Sequence, residues 1–432
     1  MTRPRDVRLP WVLAAAGCCA LLLLGRAGHV SLVLTDEYRA LAEAQHTNLH
    51  SIPAPRGPIL DRHGRTLACS VENPSLAIAG GMAVETERLA ADLCRMDLCT
   101  PDAAARLAVP AAEFRWITRR WVPDCYASEL AQRYPSLRTE LEMKRFYPAG
   151  PVAPQLLGAV GTDGRALSGL EISFDEWLSG TPGRRIDFVT GAGRPQQTMP
   201  SQILCEAEPG GGLVLAIDAR VDEVVRFRLR EGMERIAADK GIVIALDPWT
   251  GEILAMCGEP CFDPLAPDPI RGEEMKICGV MDQFEPGSVF KVNTFTAALE
   301  SGLVAPEDMI DCHGGTRMVA GRPIRDLKKM GRVTAAEVLI YSSNIGNGVV
   351  AETIGRDRFL SMAQAFGFGQ RTGIPLAGEA TGKLPHPLDP TWSARTLLTM
   401  AYGQEVAVTA LQMALAYAAV ANGGLLMKPL LV

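Results

Sequence analysis

A serine and a lysine spaced three residues apart are the first candidates for chemistry in this sequence. The stretch EPGSVFK places Ser288 and Lys291 just after a Pro-Gly turn. On a helix, residues three apart lie on one face, so the two side chains would project together. A serine hydroxyl becomes a nucleophile when a partly desolvated lysine takes its proton, and a helix N-terminus favours the negative charge of acyl transfer. The ordinary alternative, an N-cap serine followed by a solvated lysine, fits the same spacing.

The helix that follows the serine is predicted to be buried, which weakens that alternative. Apolar residues recur at helical spacing at Val289, Val292, Phe295 and Leu299. A serine and a lysine on a buried helix need partners, because an unpaired buried polar group costs free energy.

Ser342, Ser343 and Asn344 form a second polar element. They lie in LIYSSNIGNG between two predicted helices, where a loop can direct a hydroxyl and an amide into a cleft. Alone, this triplet is typical of a loop at a helix C-terminus. After the Ser288 and Lys291 pair, it is the second part of a three-part signature, S-x-x-K, S-x-N and K-T-G, of serine acyl-enzymes.

One hairpin and several helices are predicted to position these residues. The run GIVIALDPWTGEILAMC has two apolar stretches around a turn and predicts a β-hairpin. Helices are predicted after the N-cap Asp218, over Ser288–Ser301 up to Gly302, over about Ala335–Tyr341, and from Thr409 onward. The last two begin with capping boxes, Thr334 with Glu337 and Thr409 with Gln412.

The N-terminus predicts a membrane anchor. Three arginines precede an uncharged apolar run that continues, with short interruptions, to about Leu34. No clear A-x-A site follows, so an uncleaved anchor at 9–34 is favoured over a cleaved signal peptide, and a lipoprotein acylated on Cys18 is a third alternative. The positive-inside rule places residues 1–8 in the cytoplasm and the bulk of the chain outside it.

Composition argues against nucleic-acid binding and against a metal site. The net charge of the 432 residues is -6, whereas a nucleic-acid-binding protein usually has a basic face. Two of the 11 cysteines lie in the apolar N-terminal run, and the odd number that is left cannot all pair. Cys94 with Cys99, or Cys257 with Cys261, would close a small disulfide in an oxidising compartment, but buried or unpaired thiols are the simpler interpretation. Cys312-His313 is the only mixed pair, and a metal site needs four ligands.

Longer stretches resemble one family, the class B penicillin-binding proteins, which are membrane-anchored peptidoglycan transpeptidases. RGPILDRHGRTLA resembles the opening motif of their non-catalytic module, RFYPAG and GLEISFDEWLSG resemble its later blocks, and GIVIALDPWTGEILAM resembles the start of their transpeptidase domain. FGFGQRTGIPLAGEATGKLP and VTALQMALAYAAVANGG match segments after S-x-N, so the resemblance covers nearly all of residues 10–432. Asn344 is more similar to the cell-division branch than to the elongation branch.

The resemblance implies an α+β architecture in four parts. These are a cytoplasmic N-terminus (1–8), a transmembrane helix (9–34), an elongated, irregular, β-rich dimerisation or pedestal domain (36–210), and a serine-transpeptidase domain related to β-lactamases (211–432). The last is an antiparallel sheet with helices and is expected to be incomplete here.

The resemblance also implies roles for four residues. Ser288 would attack the D-Ala-D-Ala carbonyl of a stem peptide, Lys291 would take its proton, Ser342 would pass that proton to the departing D-alanine, and Asn344 would bind the donor peptide or a β-lactam amide. No cofactor and no metal is implied. The implied partners are stem peptides, β-lactams, the cytoplasmic membrane, a glycosyltransferase and other divisome membrane proteins, with the bulk of the chain periplasmic or extracytoplasmic.

The third motif of the family, Lys-Thr-Gly or Lys-Ser-Gly, is absent from these 432 residues. Its strand supplies an oxyanion N–H group, and removing one such donor costs about 100- to 1,000-fold in rate. We therefore expect a C-terminally truncated chain, one poorly packed side of the Ser288 helix, an unpaired sheet edge, and little or no labelling of Ser288 by a fluorescent penicillin. A smaller departure is Glu405, where the family usually has glycine.

Three functions stay open at this point. The first is a transpeptidase, of septal wall synthesis, whose C-terminal part is missing from this sequence. The second is a non-catalytic membrane protein that binds partners in cell-wall assembly, and the third is a β-lactam hydrolase or sensor. The nucleotide sequence after codon 432 would discriminate the first from the second.

Overall fold

The computed structural model describes residues 8–78, 86–99, 115–119, 122–134, 137–188, 201–264 and 272–432. Its strands are β1 Thr47–Ile52, β2 Ile59–Leu60, β3 Thr66–Ile78, β4 Arg115–Thr118, β5 Leu137–Phe146, β6 Gly183–Phe188, β7 Gln202–Cys205, β8 Leu213–Val214, β9 Gly241–Leu246, β10 Ile253–Glu259, β11 Met309–Asp311, β12 Thr316–Val319, β13 Arg322–Arg325 and β14 Arg332–Thr334.

The α-helices are α1 Arg8–Leu32, α2 Thr35–His46, α3 Thr86–Arg95, α4 Asp124–Arg133, α5 Pro154–Leu157, α6 Gly169–Ser173, α7 Asp175–Leu178, α8 Ala219–Ile236, α9 Cys278–Met281, α10 Lys291–Ser301, α11 Ala335–Ile340, α12 Asn344–Ile354, α13 Arg356–Ala365, α14 Thr396–Ala401 and α15 Ala410–Ala421. Short 3-10 helices lie at Gly272–Met275, Gly287–Phe290 and His313–Gly315.

The chain divides into two compact units. One consists of Met1–Ala54 and Gly180–Pro209, and the other of Pro55–Ser179 and Gly210–Val432. The domain bounds expected from the sequence stay predictions, because compact units and family domains are different divisions of a chain.

The first unit contains α1, α2 and a small sheet. Within α1, Trp11–Leu32 is long and apolar enough to cross a membrane, and no other described helix meets both conditions. The large apolar side chains of α1 are exposed, as a lipid-facing helix requires. The sheet has the order β1-β6-β7 and is antiparallel, with Thr47 opposite Phe188.

In the second unit, a five-stranded sheet is built around β3. Strand β3 pairs antiparallel with β5, from Cys69 opposite Phe146 to Ile78 opposite Leu137, and with β4 on its other side. Helices α3 and α4 bury Leu89, Leu93 and Leu130 in one apolar cluster with Leu76 of β3. The short β2 pairs with β3 and lies parallel to β8.

The motif RGPILDRHGRTLA shapes this part of the fold. Gly57 passes so close to the chain that an added Cβ would lie 1.8 Å from the Gly211 carbonyl oxygen, which only glycine tolerates. The buried carboxylate of Asp61 accepts the N–H groups of His63 (2.8 Å) and Arg65 (2.9 Å) and so closes the turn between β2 and β3.

Arg56, Arg145 and Glu171 form a buried ion cluster. Glu171 is completely buried, and its two oxygens accept Arg56 Nε at 2.8 Å and Arg145 Nε at 2.6 Å. Arg56 Nη1 also donates to Asp175 Oδ1 at 2.6 Å. The first residue of the RGPILDR motif is therefore held by an ion pair that joins it to α6 and α7.

The predicted hairpin is confirmed, and so are the helix starts after Asp218, Thr334 and Thr409. Strands β9 and β10 pair antiparallel around the Asp-Pro-Trp-Thr-Gly turn, with Leu246 opposite Ile253. Asp218 caps α8, and both capping boxes, at Thr334 and at Thr409, are formed. Within the described residues β9 pairs with β10 alone, so the expected unpaired edge is present.

The apolar stripe predicted on the Ser288 helix is wrong in part. Val289 and Leu299 are 48% and 56% exposed, whereas Phe290 is fully buried with its ring centroid 4.8 Å from that of Phe368. Val289 faces outward and Phe290 inward because residues Gly287–Phe290 form a 3-10 helix, whose three residues per turn rotate the buried face at the junction with α10. Helices α12, α13 and α14 pack on α10, and the poorly packed side expected for this helix stays a prediction.

Candidate active site

Ser288 lies in the 3-10 turn that leads into α10. Gly287, just before it, has φ +60°, and its N–H group donates to the Gly403 carbonyl at 2.9 Å. A Cβ on Gly403 would lie 2.0 Å from the Gly287 oxygen, so this close contact requires glycine. Phe290 anchors the other end of the turn in the core, which leaves Ser288 exposed at a fixed position.

Lys291 is completely buried, and its ammonium group contacts neutral acceptors only. Lys291 Nζ donates to Ser342 O at 2.6 Å, to Ser342 Oγ at 3.0 Å and to Asn344 Oδ1 at 2.9 Å. Burial lowers the pKa of Lys291 to about 8, and the negative charge of Asp326 opposes that shift. A lysine with such a pKa exists partly as the free amine near neutral pH. A group that accepts a proton must be unprotonated in this way.

Ser342 adopts a strained backbone conformation at the end of α11. Its φ is +57°, a left-handed value that favours glycine. The N–H of Ser342 donates to Leu339 O at 3.1 Å and that of Ser343 to Val338 O at 3.0 Å, which is the hydrogen-bond pattern of a Schellman motif. This turn directs Ser342 Oγ to Ser288 Oγ, to which it donates at 3.0 Å.

The hydrogen bonds connect Lys291, Ser342 and Ser288 in series. Lys291 donates to Ser342, and Ser342 donates to Ser288, each across 3.0 Å. With neutral Lys291 the hydroxyl hydrogens can reverse their direction, because a hydroxyl both donates and accepts. The series then carries a proton from Ser288 to Lys291, which is the activation that a serine nucleophile needs.

Asp326 is a site residue that the sequence did not predict. Its Oδ2 accepts the hydroxyl of Ser343 at 2.6 Å, and its Oδ1 accepts the N–H groups of Asn344 at 2.6 Å and Ile345 at 3.1 Å. Ser343 Oγ in turn accepts the N–H of Gly346 at 2.8 Å and caps α12. Asp326 therefore holds the S-x-N segment at the N-terminus of α12.

Glu405, the departure from the family pattern, has φ +62°, a left-handed conformation that favours the glycine it replaces. Its side chain accepts Thr399 Oγ1 at 2.7 Å, and its N–H donates to Glu285 Oε1 at 2.9 Å. These bonds stabilise the strained residue beside the turn that carries Ser288.

The four residues predicted from the sequence, Ser288, Lys291, Ser342 and Asn344, therefore meet in one hydrogen-bonded cluster. The described residues contain no group of three or more His, Cys, Asp or Glu side chains placed to hold a metal ion. The chemistry that this geometry supports is nucleophilic attack by an activated serine.

Comparison with known proteins agrees with this geometry. The family model described as Penicillin-binding Protein dimerisation domain matches residues 51–215, and that described as Penicillin binding protein transpeptidase domain matches residues 241–432. The chain is 29% identical over 431 residues to the peptidoglycan D,D-transpeptidase FtsI of Escherichia coli K12, covering 96% of this chain and 72% of that protein. It is 31% identical over 421 residues to the penicillin-binding protein PbpB of Mycolicibacterium smegmatis, covering 90% of this chain and 64% of that protein.

Solved structures are similar over most of the chain. Penicillin-binding protein 3 of Mycobacterium tuberculosis, complexed with ampicillin, has a TM-score of 0.64 at 27% identity and covers 89% of this chain and 67% of its own. A chain of a peptidoglycan synthase complex has a TM-score of 0.66 at 27% identity and covers 99% of this chain and 81% of its own. Two family models, one on each part of the sequence, together with these relatives and structures establish that the chain belongs to the class B penicillin-binding proteins.

Proposed function

We propose that this protein is a peptidoglycan D,D-transpeptidase of cell-wall synthesis that forms an acyl-enzyme on Ser288. The observation that carries the proposal is the series of hydrogen bonds from buried Lys291 through Ser342 to Ser288. Relatives named peptidoglycan D,D-transpeptidase and a similar structure with bound ampicillin support the substrate class.

The acylation step follows from this geometry. Neutral Lys291 receives the proton of Ser288 through Ser342 as Ser288 Oγ bonds to the carbonyl carbon of the penultimate D-alanine. The N–H of Ser288, in the 3-10 helix Gly287–Phe290, is the proposed hydrogen-bond donor to the developing oxyanion. When the C–N bond breaks, Lys291 returns the proton through Ser342 to the amine of the departing D-alanine.

The acyl-enzyme then reacts with an amine of a neighbouring stem peptide, which forms the crosslink and frees Ser288. Asn344 binds the donor peptide with its side-chain amide. Lys291 holds the oxygen of that amide, and Asp326 holds the backbone N–H of Asn344. No step requires a cofactor.

Location and partners belong to the same proposal. Helix α1 anchors the protein in the cytoplasmic membrane with residues 1–8 inside, supported by the arginines that precede the span. A glycosyltransferase of the wall-synthesis machinery is the proposed membrane partner, supported by the similar chain of a peptidoglycan synthase complex. Asn344 supports a septal role, for which midcell localisation of a fluorescent fusion is the test.

The activity is tested with a fluorescent penicillin on the detergent-purified protein, with E. coli FtsI as the rate reference. In place of the little or no labelling expected from the absent third motif, the hydrogen bonds from Lys291 through Ser342 to Ser288 predict a covalent adduct. Peptide mapping should assign this adduct to Ser288, and Ser288→Ala should abolish it. Ser301→Ala is the matched control, since that serine ends the same helix and donates to Ala298 O away from the site. An adduct that survives Ser288→Ala would overturn the assignment, and no adduct at any pH would favour the non-catalytic alternative.

A further inference from the structure

Two cysteines outside the active site lie at a sharp turn after α3. The N–H of Asp97 donates to Cys94 O at 3.1 Å and that of Leu98 to Leu93 O at 2.9 Å. Asp97 has φ +57°, so these bonds form a Schellman motif with a non-glycine residue in the left-handed position. The motif reverses the chain, so that Cys99 returns to the end of the helix.

This turn brings the two thiols into contact. Cys94 Sγ lies 3.7 Å from Cys99 Sγ, and both side chains are half-buried against the apolar cluster of Leu89, Leu93 and Leu130. A disulfide needs its sulfur atoms at about 2.05 Å with the Cβ atoms facing each other. Small rotations of two side chains that already touch close the remaining gap, with the backbone turn held by its own hydrogen bonds.

The other pair singled out in the sequence is arranged differently. Cys257 Sγ donates to the buried carboxylate of Asp222 at 3.1 Å, whereas Cys261 Sγ contacts Glu259 at 3.4 Å and Arg226 at 3.3 Å. Cys257 and Cys261 are therefore hydrogen-bonded to different side chains and not to each other. Because only the thiols of Cys94 and Cys99 are in contact within these two pairs, Cys94 and Cys99 are the better candidates for a disulfide.

We propose that Cys94 and Cys99 form a disulfide in the mature protein. The two thiols lose two protons and two electrons to the disulfide of a thiol oxidase in the extracytoplasmic compartment, which is reduced to a dithiol as the Cys94–Cys99 bond forms. This inference rests on the proposed export of residues 36 onward. The bond closes a six-residue ring over the strained turn at Asp97 and restricts the unfolded chain there.

Peptide mapping tests the bond directly, because trypsin cleaves at Arg95 between the two cysteines. The protein is extracted from membranes with iodoacetamide and without reductant. We expect LAADLCR and MDLCTPDAAAR as one linked species that a reductant separates. Cys125, which is exposed, is the internal control and should be alkylated throughout.

Cysteine variants and a glutathione buffer distinguish the pairing of Cys94 with Cys99 from the proposed export of these residues. Cys99→Ser should free Cys94 for alkylation, and reductant should lower the melting temperature of the wild type and of Cys125→Ser but not of the Cys94→Ser/Cys99→Ser variant. If both thiols are alkylated after extraction yet link in a buffer of oxidised and reduced glutathione, the proposed export is overturned and the pairing stands. If they link in neither condition, the disulfide is overturned, whatever the outcome of the penicillin experiment.

Discussion

Among the cationic side chains that the described residues bury, Arg56 with Arg145 and Lys291 differ in what surrounds the charge. Arg56 and Arg145 lie against the two oxygens of Glu171, which is itself completely buried. Lys291 is equally buried, but its three hydrogen bonds go to a carbonyl, a hydroxyl and an amide oxygen. The negative charge of Asp326 acts on Lys291, but the hydrogen bonds of that carboxylate go to Ser343, Asn344 and Ile345.

The difference shows what each cation is suited to. A buried guanidinium paired with a carboxylate keeps its charge and joins chain segments that lie 115 residues apart in sequence, as Arg56 and Glu171 do. A buried ammonium without a contacting carboxylate loses part of the free energy that keeps it protonated, so its pKa falls. Arginine at the first place therefore supports structure, and lysine at the second supports proton transfer.

The largest effect is expected when Lys291 is replaced by a cation that cannot lose its proton. Lys291→Arg places a group that stays protonated where neutral Lys291 accepts a proton. We expect labelling by the fluorescent penicillin to fall about 10²- to 10⁴-fold, the usual contribution of a general base. Lys276→Arg, at the ion pair with Asp282, is the matched control and should label like the wild type. Unchanged labelling of Lys291→Arg would remove Lys291 from the mechanism.

Removing the carboxylate of Glu171 from its pairs with Arg56 and Arg145 should lower the stability of the protein without removing a catalytic group. Glu171→Gln leaves Arg145 buried without its carboxylate partner and leaves Arg56 with Asp175, and breaking a buried ion pair in this way costs about 3–5 kcal/mol. Urea denaturation followed by circular dichroism measures the loss. Asp175→Asn is the control, because that side chain is 49% exposed and its pair should contribute less than about 1 kcal/mol. Equal losses for the two variants would contradict a special role of burial.

The two places also differ in how far the sequence predicts them. Ser288, Lys291, Ser342 and Asn344 are predictable because two short motifs, each ambiguous alone, together match a known signature and family pattern. The capping box at Thr334 is predictable from local spacing alone. Glu171 has no local sign of its partners, since the ion pair depends on a tertiary contact.

Asp326 was missed for a similar reason. A single acidic residue in a polar loop is ordinary, and its partners are 17 to 19 residues further along the chain. The left-handed backbone of Ser342 was missed because serine, unlike glycine, does not indicate positive φ. Val289 rather than Phe290 was predicted to be buried because sequence periodicity assumes one helix type, whereas a 3-10 turn precedes α10.

The pH dependence of acylation tests whether burial lowers the pKa of Lys291. Only neutral Lys291 accepts the proton of Ser288, and its pKa is lowered to about 8 by burial. The rate of labelling should therefore rise about tenfold per pH unit below 8, reach half its maximum near pH 8 and level off above it. Initial rates between pH 6 and 10 measure this, with urea denaturation at each pH as the control for folding. A profile centred near 10.5, the ordinary lysine value, would show that burial does not tune this residue.

The smallest effect on labelling should come from Asp326, whose carboxylate is close to Lys291 without being hydrogen-bonded to it. Asp326 neither contacts Lys291 nor is remote from it, and its charge raises the lysine pKa against the effect of burial. Asp326→Asn removes that charge, so the midpoint of the labelling profile should move to lower pH. The variant also weakens the bonds to Ser343 and to the N–H of Asn344, worth about 1 kcal/mol, so the plateau rate should fall several-fold. Ser343→Ala, which loses one of these bonds and no charge, should lower the plateau without moving the midpoint. If both variants leave the midpoint in place, Asp326 acts on the position of the S-x-N segment alone, and the pKa of Lys291 is set by its burial among neutral groups.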